Sequence, residues 1–139
     1  MSFKKILTTL QDTESLAKEL ANNLKGKTIL LNGSLGAGKT TFVKYLAKHM
    51  GFNDDISSPT FSIANTYLSD KGRIVHFDLY RIESEDELEL TGFYELISDN
   101  NITSIIEWAE KFNLEPFIKN TVTISIKILS NGYRQFEMD

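Results

Sequence analysis

Residues Gly33-Ser34-Leu35-Gly36-Ala37-Gly38-Lys39-Thr40 spell G-x-x-x-x-G-K-[ST] in full, and no other stretch restricts the fold of this chain so tightly. The pattern works only as a loop running from a strand straight into a helix, because the glycine N–H groups and the helix N-terminus must converge on one anion. The flanks meet that demand. Thr28 to Asn32 is a short apolar, β-rich run, and behind the glycines Phe42, Val43, Leu46, Ala47 and Met50 recur at helical spacing until Gly51. Gly33, Ser34, Leu35, Gly36, Ala37, Gly38, Lys39, Thr40 and Thr41 are therefore the expected contacts to a di- or triphosphate. Lys39 is placed to span the β and γ phosphates, and the Thr40 hydroxyl is an oxygen ligand suited to Mg²⁺.

The rest of the chain supplies strands and helices around that unit. Phe3 to Thr8 reads as a first strand. A helix follows, carrying Leu16, Ala17, Leu20, Ala21 and Leu24 behind Asp12 or Thr13 as N-cap and ending at Gly26. Phe61 to Leu68 and Ile74 to Leu79, joined by a turn at Ser69 to Gly72, read as a hairpin. Ser84 with Glu87 predicts a capping box, Gly92 breaks or ends the helix it opens, and Ile102 to Trp108 is a fourth apolar run. Thr121 to Leu129, Asn131-Gly132 and Tyr133 to Met138 make a C-terminal hairpin. No repeat, low-complexity tract or linker interrupts 1–139. The expectation is one α/β domain: a mixed central sheet flanked by helices, with antiparallel hairpin additions.

A phosphate-binding loop needs an acid at the end of a neighbouring strand, to hold the metal or position the attacking water. Two candidates exist. Ile74 to Phe77 is an apolar strand ending in Asp78, and Ile105-Ile106 is another ending in Glu107. Alternation puts His76, Asp78 and Tyr80 on one side, opposite Val75, Phe77 and Leu79, in a row that reads as a site or as an ordinary edge strand. Glu107 between Ile106 and Trp108 would be costly to bury unpaired. His76 reads first as a hydrogen-bonded structural group, and His49 as an exposed residue of the second helix with no functional role. Ser57 to Thr60 has turn composition, and the Thr60 hydroxyl is a candidate sensor of the γ phosphate. Arg81 suits bidentate pairing with a phosphate or an acidic partner, or a surface salt bridge.

Composition removes other chemistries. With no cysteine and two histidines, a thiol nucleophile and disulfides are impossible and a zinc site is not expected. The apolar stretch after Lys4-Lys5 stops at Gln11, too short for a signal segment or a membrane span, so the expected setting is the cytoplasm, without a membrane. The net charge of -4 arises largely from Glu83, Glu85, Asp86, Glu87 and Glu89, which leave 15 bases against 14 acids elsewhere. Such a body lacks the basic clusters that grip a nucleic-acid backbone. The acidic block is a solvated helix face or a docking patch for a basic partner.

Together the glycine loop, Ser58-Pro59-Thr60-Phe61, His76-Phe77-Asp78-Leu79-Tyr80-Arg81 and Ile106-Glu107-Trp108 resemble, in order and over nearly the full length, the bacterial TsaE (YjeE) family. That resemblance implies a small P-loop ATPase, using ATP and Mg²⁺ in synthesis of threonylcarbamoyladenosine (t6A) in ANN-decoding tRNAs. It also implies the TsaB and TsaD proteins as partners and tRNA contact only through the complex. Carried onto this chain, Lys39 and Thr40 bind phosphate and Mg²⁺, Asp78 and Glu107 serve metal and water, Thr60 belongs to a switch, and Tyr80 and Trp108 shape the site or an interface. Where the family often has an acid after the first glycine of the loop, this chain has Ser34. Two other classes share the loop: a small P-loop kinase, for which only Arg73, Arg81 and Arg134 are available to the transferring phosphate, and a nucleotide-sensing module. No arginine finger is evident near the loop, which predicts weak basal hydrolysis stimulated by a partner.

Overall fold

The strand that leads into the glycine loop lies inside a sheet, with the two acid-bearing strands to one side of it. The computed structural model describes residues 2–139 except Leu35 and the segments 53–55, 58–63 and 70–71. The strands are β1 (Phe3–Leu7), β2 (Thr28–Gly33), β3 (Ile56–Ser57), β4 (Ala64–Ser69), β5 (Gly72–Asp78), β6 (Ile102–Glu107), β7 (Thr121–Ile128) and β8 (Arg134–Met138). The helices are α1 (Leu10–Leu24), α2 (Lys39–His49), α3 (Glu85–Leu90) and α4 (Phe93–Ile97), with 3-10 turns at Ala109–Lys111 and Glu115–Phe117. Among the described residues all eight strands join one sheet in the order β1-β8-β7-β2-β6-β5-β4-β3. Its centre, β7-β2-β6-β5, is parallel. Both wings attach antiparallel, β8 on β7 and β4 on β5. The fold is thus α/β with a mixed sheet and hairpin additions, as the sequence pattern implies.

Alternation along the strands assigns their two faces. Ile29 and Leu31 of β2, Ile124 and Ile126 of β7 and Phe136 of β8 pack with Leu16, Leu20 and Leu24 of α1 and Phe42, Val43 and Leu46 of α2. The opposite face buries Val75 and Phe77 of β5 and Ile102 and Ile106 of β6 against Leu88 and Phe93 of α3 and α4. Parallel strands covered on both sides read as near-continuous apolar runs, and every residue of β6 is buried. The hairpin β4-β5 forms as expected from Ala64 onward, while 61–63 lie outside the described residues. The edge-strand reading of β5 fails: β5 sits between β4 and β6, and His76 is 5% exposed.

Local details move from the sequence expectation in three places. The cap of α1 is Thr9, whose hydroxyl accepts the Asp12 N–H at 3.1 Å while the Asp12 carboxylate accepts the Thr9 N–H at 3.2 Å. This reciprocal box places Asp12 and Thr13 inside the helix. Ser84 does cap α3 by accepting the Glu87 N–H at 3.1 Å, but the Glu87 carboxylate reaches one residue further back, to the Glu83 N–H at 3.1 Å. His49 turns toward α1 rather than solvent. Its Nε2 lies 2.9 Å from Glu14 Oε2, which also accepts from Lys48 Nζ at 2.8 Å.

Candidate nucleotide site

Gly33, Asp78 and Glu107 end the parallel strands β2, β5 and β6, so loop and acids meet at one edge of the sheet, where open α/β sheets bind ligands. Asp78 and Glu107 stand opposite each other in register. The Leu79 N–H donates to the Glu107 carbonyl at 3.1 Å, and Lys111 Nζ donates to the carbonyls of Tyr80 and Ile82 at 2.5 and 2.8 Å. These bonds tie the segments after both acids into one unit.

The glycine loop closes with the Ala37 N–H on the Ser34 carbonyl at 3.0 Å. Gly38 is the N-cap of α2, with φ 100° and no side-chain cap, which leaves the first-turn amides for a ligand. Gly33 is needed for a different reason: a Cβ there would lie 2.9 Å from the Ile126 carbonyl of β7. Lys39, first residue of α2, reaches back to donate to the Gly33 carbonyl at 2.7 Å and pairs with Glu107 Oε1 at 2.8 Å. The other carboxylate oxygen, Oε2, accepts from His76 Nε2 at 2.5 Å. Burial alone would push the Glu107 carboxyl up, but the hydrogen bonds from His76 and Lys39 outweigh it and hold the group below the usual carboxylate value. Because a carboxylate only accepts, Nε2 of His76 carries the shared proton, and Nδ1 is buried without a partner among the described residues.

A cavity of about 650 Å³ opens over this arrangement. Gly36, Gly38, Lys39, Thr40 and Thr41 line it from the loop and α2, and Asp78, Tyr80, Glu107, Trp108 and Arg134 from elsewhere. Gly33 faces an adjoining cavity of about 330 Å³, shared with Lys39 and Trp108. Of the other expected contacts, Ser34 is exposed, Ala37 is buried, and Leu35 lies outside the described residues. Thr60 also lies outside them. Arg81 is exposed and does not line the cavity. Asp78 is exposed, and its Oδ1 accepts the Tyr80 N–H at 3.0 Å. Trp108 holds φ 64°, a left-handed conformation uncommon for a bulky residue, and packs on Tyr80 with ring centres 5.0 Å apart.

Arg134, which the sequence offers only as one of three arginines a kinase could use, lies against the glycine loop. Its Nε donates to the Ala37 carbonyl at 2.7 Å and Nη2 to the Gly36 carbonyl at 3.4 Å, so an arginine does sit beside the loop. No local signal reveals this, because it depends on β7 pairing with β2. The donor set also limits how a metal is held. Among the described residues no group of three or more His, Cys, Asp or Glu could hold one. The exposed Thr40 hydroxyl and Asp78 carboxylate are hard oxygen donors that suit Mg²⁺ only alongside substrate phosphates, the usual arrangement for that ion.

The sequence profile described as "Threonylcarbamoyl adenosine biosynthesis protein TsaE" matches residues 7–136. The chain belongs to the TsaE family. The protein named tRNA threonylcarbamoyladenosine biosynthesis protein TsaE from Rickettsia prowazekii is 42% identical over 132 residues, covering 92% of this chain and 88% of its own. The protein of the same name from Aquifex aeolicus is 48% identical over 90 residues, 63% of this chain and 68% of its own. Among solved structures, Bacillus subtilis YdiB superposes with a TM-score of 0.71 at 26% identity, covering 99% of this chain and 84% of that one. Membership places the chain among proteins named for tRNA threonylcarbamoyladenosine biosynthesis. No helix among the described residues is long and apolar enough to cross a membrane.

Proposed function

We propose that this TsaE-family chain binds ATP with Mg²⁺ at the Gly33 to Thr41 loop and hydrolyses it in the cytoplasm. Hydrolysis serves t6A synthesis on ANN-decoding tRNAs, together with TsaB and TsaD. The observation that carries the reading is the ion pair between Lys39 and Glu107, which brings the loop cation and a strand-end acid into one cavity with Asp78. An incoming polyphosphate competes for the Lys39 ammonium. As Lys39 turns to the phosphates, Glu107 loses one of its two partners, and Oε1 becomes free to accept a hydrogen bond from water. His76 keeps the other oxygen and so keeps the carboxylate in place. Thr40 and Asp78 would hold Mg²⁺, which when bound would neutralise negative charge on the phosphates. Thr60 serves as the γ-phosphate switch. The Tyr80 and Trp108 rings wall the cavity mouth.

In water attack on the γ phosphorus, the new O–P bond forms as Glu107 Oε1 takes the water proton, the bond from phosphorus to the β–γ bridging oxygen breaks, and ADP leaves; Glu107 then returns the proton to the departing phosphate or to solvent. The test has two arms. In cells depleted of the native protein, Lys39→Ala fails to restore the modified nucleoside in bulk tRNA, and full rescue would refute the reading. With purified proteins, ATP turnover is slow for the chain alone and rises when TsaB and TsaD are added. Equal rates would remove the partner claim.

A further inference from the structure

The first residue of β8 touches the glycine loop in a way that neither the loop motif nor the proposed chemistry accounts for. Arg134 Nε donates to the Ala37 carbonyl at 2.7 Å, with Nη2 on the Gly36 carbonyl at 3.4 Å. The loop is shaped to receive it. A Cβ on Gly38 would lie 3.2 Å from Arg134 Nε and 3.6 Å from its Cδ, so the last glycine of the motif leaves room for the arginine stem. Arg134 also lines the cavity.

We propose that Arg134 is a positioning residue that straps the phosphate loop into its binding conformation. A peptide unit is planar and trans, so its carbonyl and N–H point in opposite directions. Holding the Gly36 carbonyl fixes the Ala37 N–H, which closes the turn on Ser34. Holding the Ala37 carbonyl turns the Gly38 N–H away from the guanidinium, where it is free to meet an anion. A loop with a glycine at φ 82° and another at φ 100° has many alternatives in the absence of such a tie. The strap removes that freedom before ligand arrives, which is preorganisation in the ordinary sense. An arginine suits the task because it stays charged, reaches two carbonyls with one planar fork, and keeps donors to spare.

The inference rests on the nucleotide-binding reading, and the experiment separates the two. Wild type, R134A, R134Q and R134K are compared by equilibrium binding of fluorescent ATP and ADP, by ATP turnover, and by hydrogen exchange of peptides spanning residues 33–41 without nucleotide. In R134A and R134Q both affinities fall by the same factor, on the order of ten-fold, as expected for losing a charge-assisted hydrogen bond. KM rises by that factor, kcat falls by less, and the loop amides exchange faster. R134K lies between them and wild type, since an ammonium reaches these carbonyls but lacks the fork.

Wild-type affinity and exchange in R134A overturn the strap. So does a fall in turnover with ADP affinity unchanged, which would make Arg134 a transition-state group instead. Wild type that binds neither nucleotide defeats the nucleotide reading, and loop exchange then still decides the strap. Should R134A not fold, R134K and R134Q carry the same comparison.

Discussion

The molecule contains the same three side-chain types, lysine, glutamate and histidine, joined in two places. Between α1 and α2, Glu14 accepts from Lys48 at 2.8 Å and from His49 at 2.9 Å, all on one oxygen. At the loop, Glu107 accepts from Lys39 at 2.8 Å on one oxygen and from His76 at 2.5 Å on the other. Both carboxyls are held below their usual value. The surroundings differ. The Lys48 side chain is 65% exposed and Glu14 30%, whereas Lys39 is 13% exposed and Glu107 8%. Solvent competes for the first trio and salt screens it, so it fastens two helices weakly. The second trio is shielded from solvent except where the cavity opens, and removing any member leaves a charge or a donor without a partner. Identical chemistry thus yields a surface clasp in one place and, at the strand ends, a stored carboxylate.

The largest way to break this comparison is activity. Glu107→Gln keeps the shape but removes the base, and turnover of ATP falls on the order of a thousand-fold, within the range for a positioned acid or base. Glu14→Gln leaves turnover at the wild-type rate. A comparable loss in both variants would mean that the site does not use Glu107 as described.

Stability comes next. Without nucleotide, Lys39→Met leaves Glu107 buried beside His76 alone and costs about 3 kcal/mol by urea denaturation, as for a buried ion pair stripped of one partner. Lys48→Met gives a several-fold smaller change. Equal losses would erase the distinction that burial draws between the two trios.

The smallest effect lies in pH and salt. A carboxyl whose folded value is depressed stabilises the fold above its unfolded pKa of roughly 4.3, and that stability is lost as pH falls through the lower folded value. Both glutamates therefore lose their contribution on acidification, and the gap between wild type and Glu107→Gln closes as pH drops below that range. At neutral pH, added salt shrinks the gap for Glu14→Gln and leaves that for Glu107→Gln, as denaturation midpoints at low and high ionic strength will show. The same salt dependence in both would indicate that water reaches the inner trio freely.

How much of this could be read beforehand follows the range of the interactions. The glycine loop and its flanks were legible because strand, turn and helix are specified within about 20 residues by local periodicity and glycine placement. The two acids were legible for a similar reason, each ending an apolar run. The partner of His76 was not, since the bond to Glu107 spans 31 positions and exists only because β5 and β6 are paired in parallel. His49 was misplaced because α2 alone does not say that α1 lies beside it. Thr9 was passed over as a cap although Asp12 three residues later offered the signal.

By itself, then, the sequence determined the glycine loop, its lysine, the two strand-end acids and an α/β scheme, because each is written in neighbouring residues whose backbone preferences and alternation act locally. Only the tertiary structure decided which charges pair and which arginine touches the loop. Glu107 is 68 positions from Lys39 in the chain, and Arg134 binds Ala37 across 97. Such contacts depend on strand order: β6 and β7 both pair with β2, and β8 follows from β7. Hydrophobic burial on both faces of the sheet selects that order, and no short-range pattern encodes it.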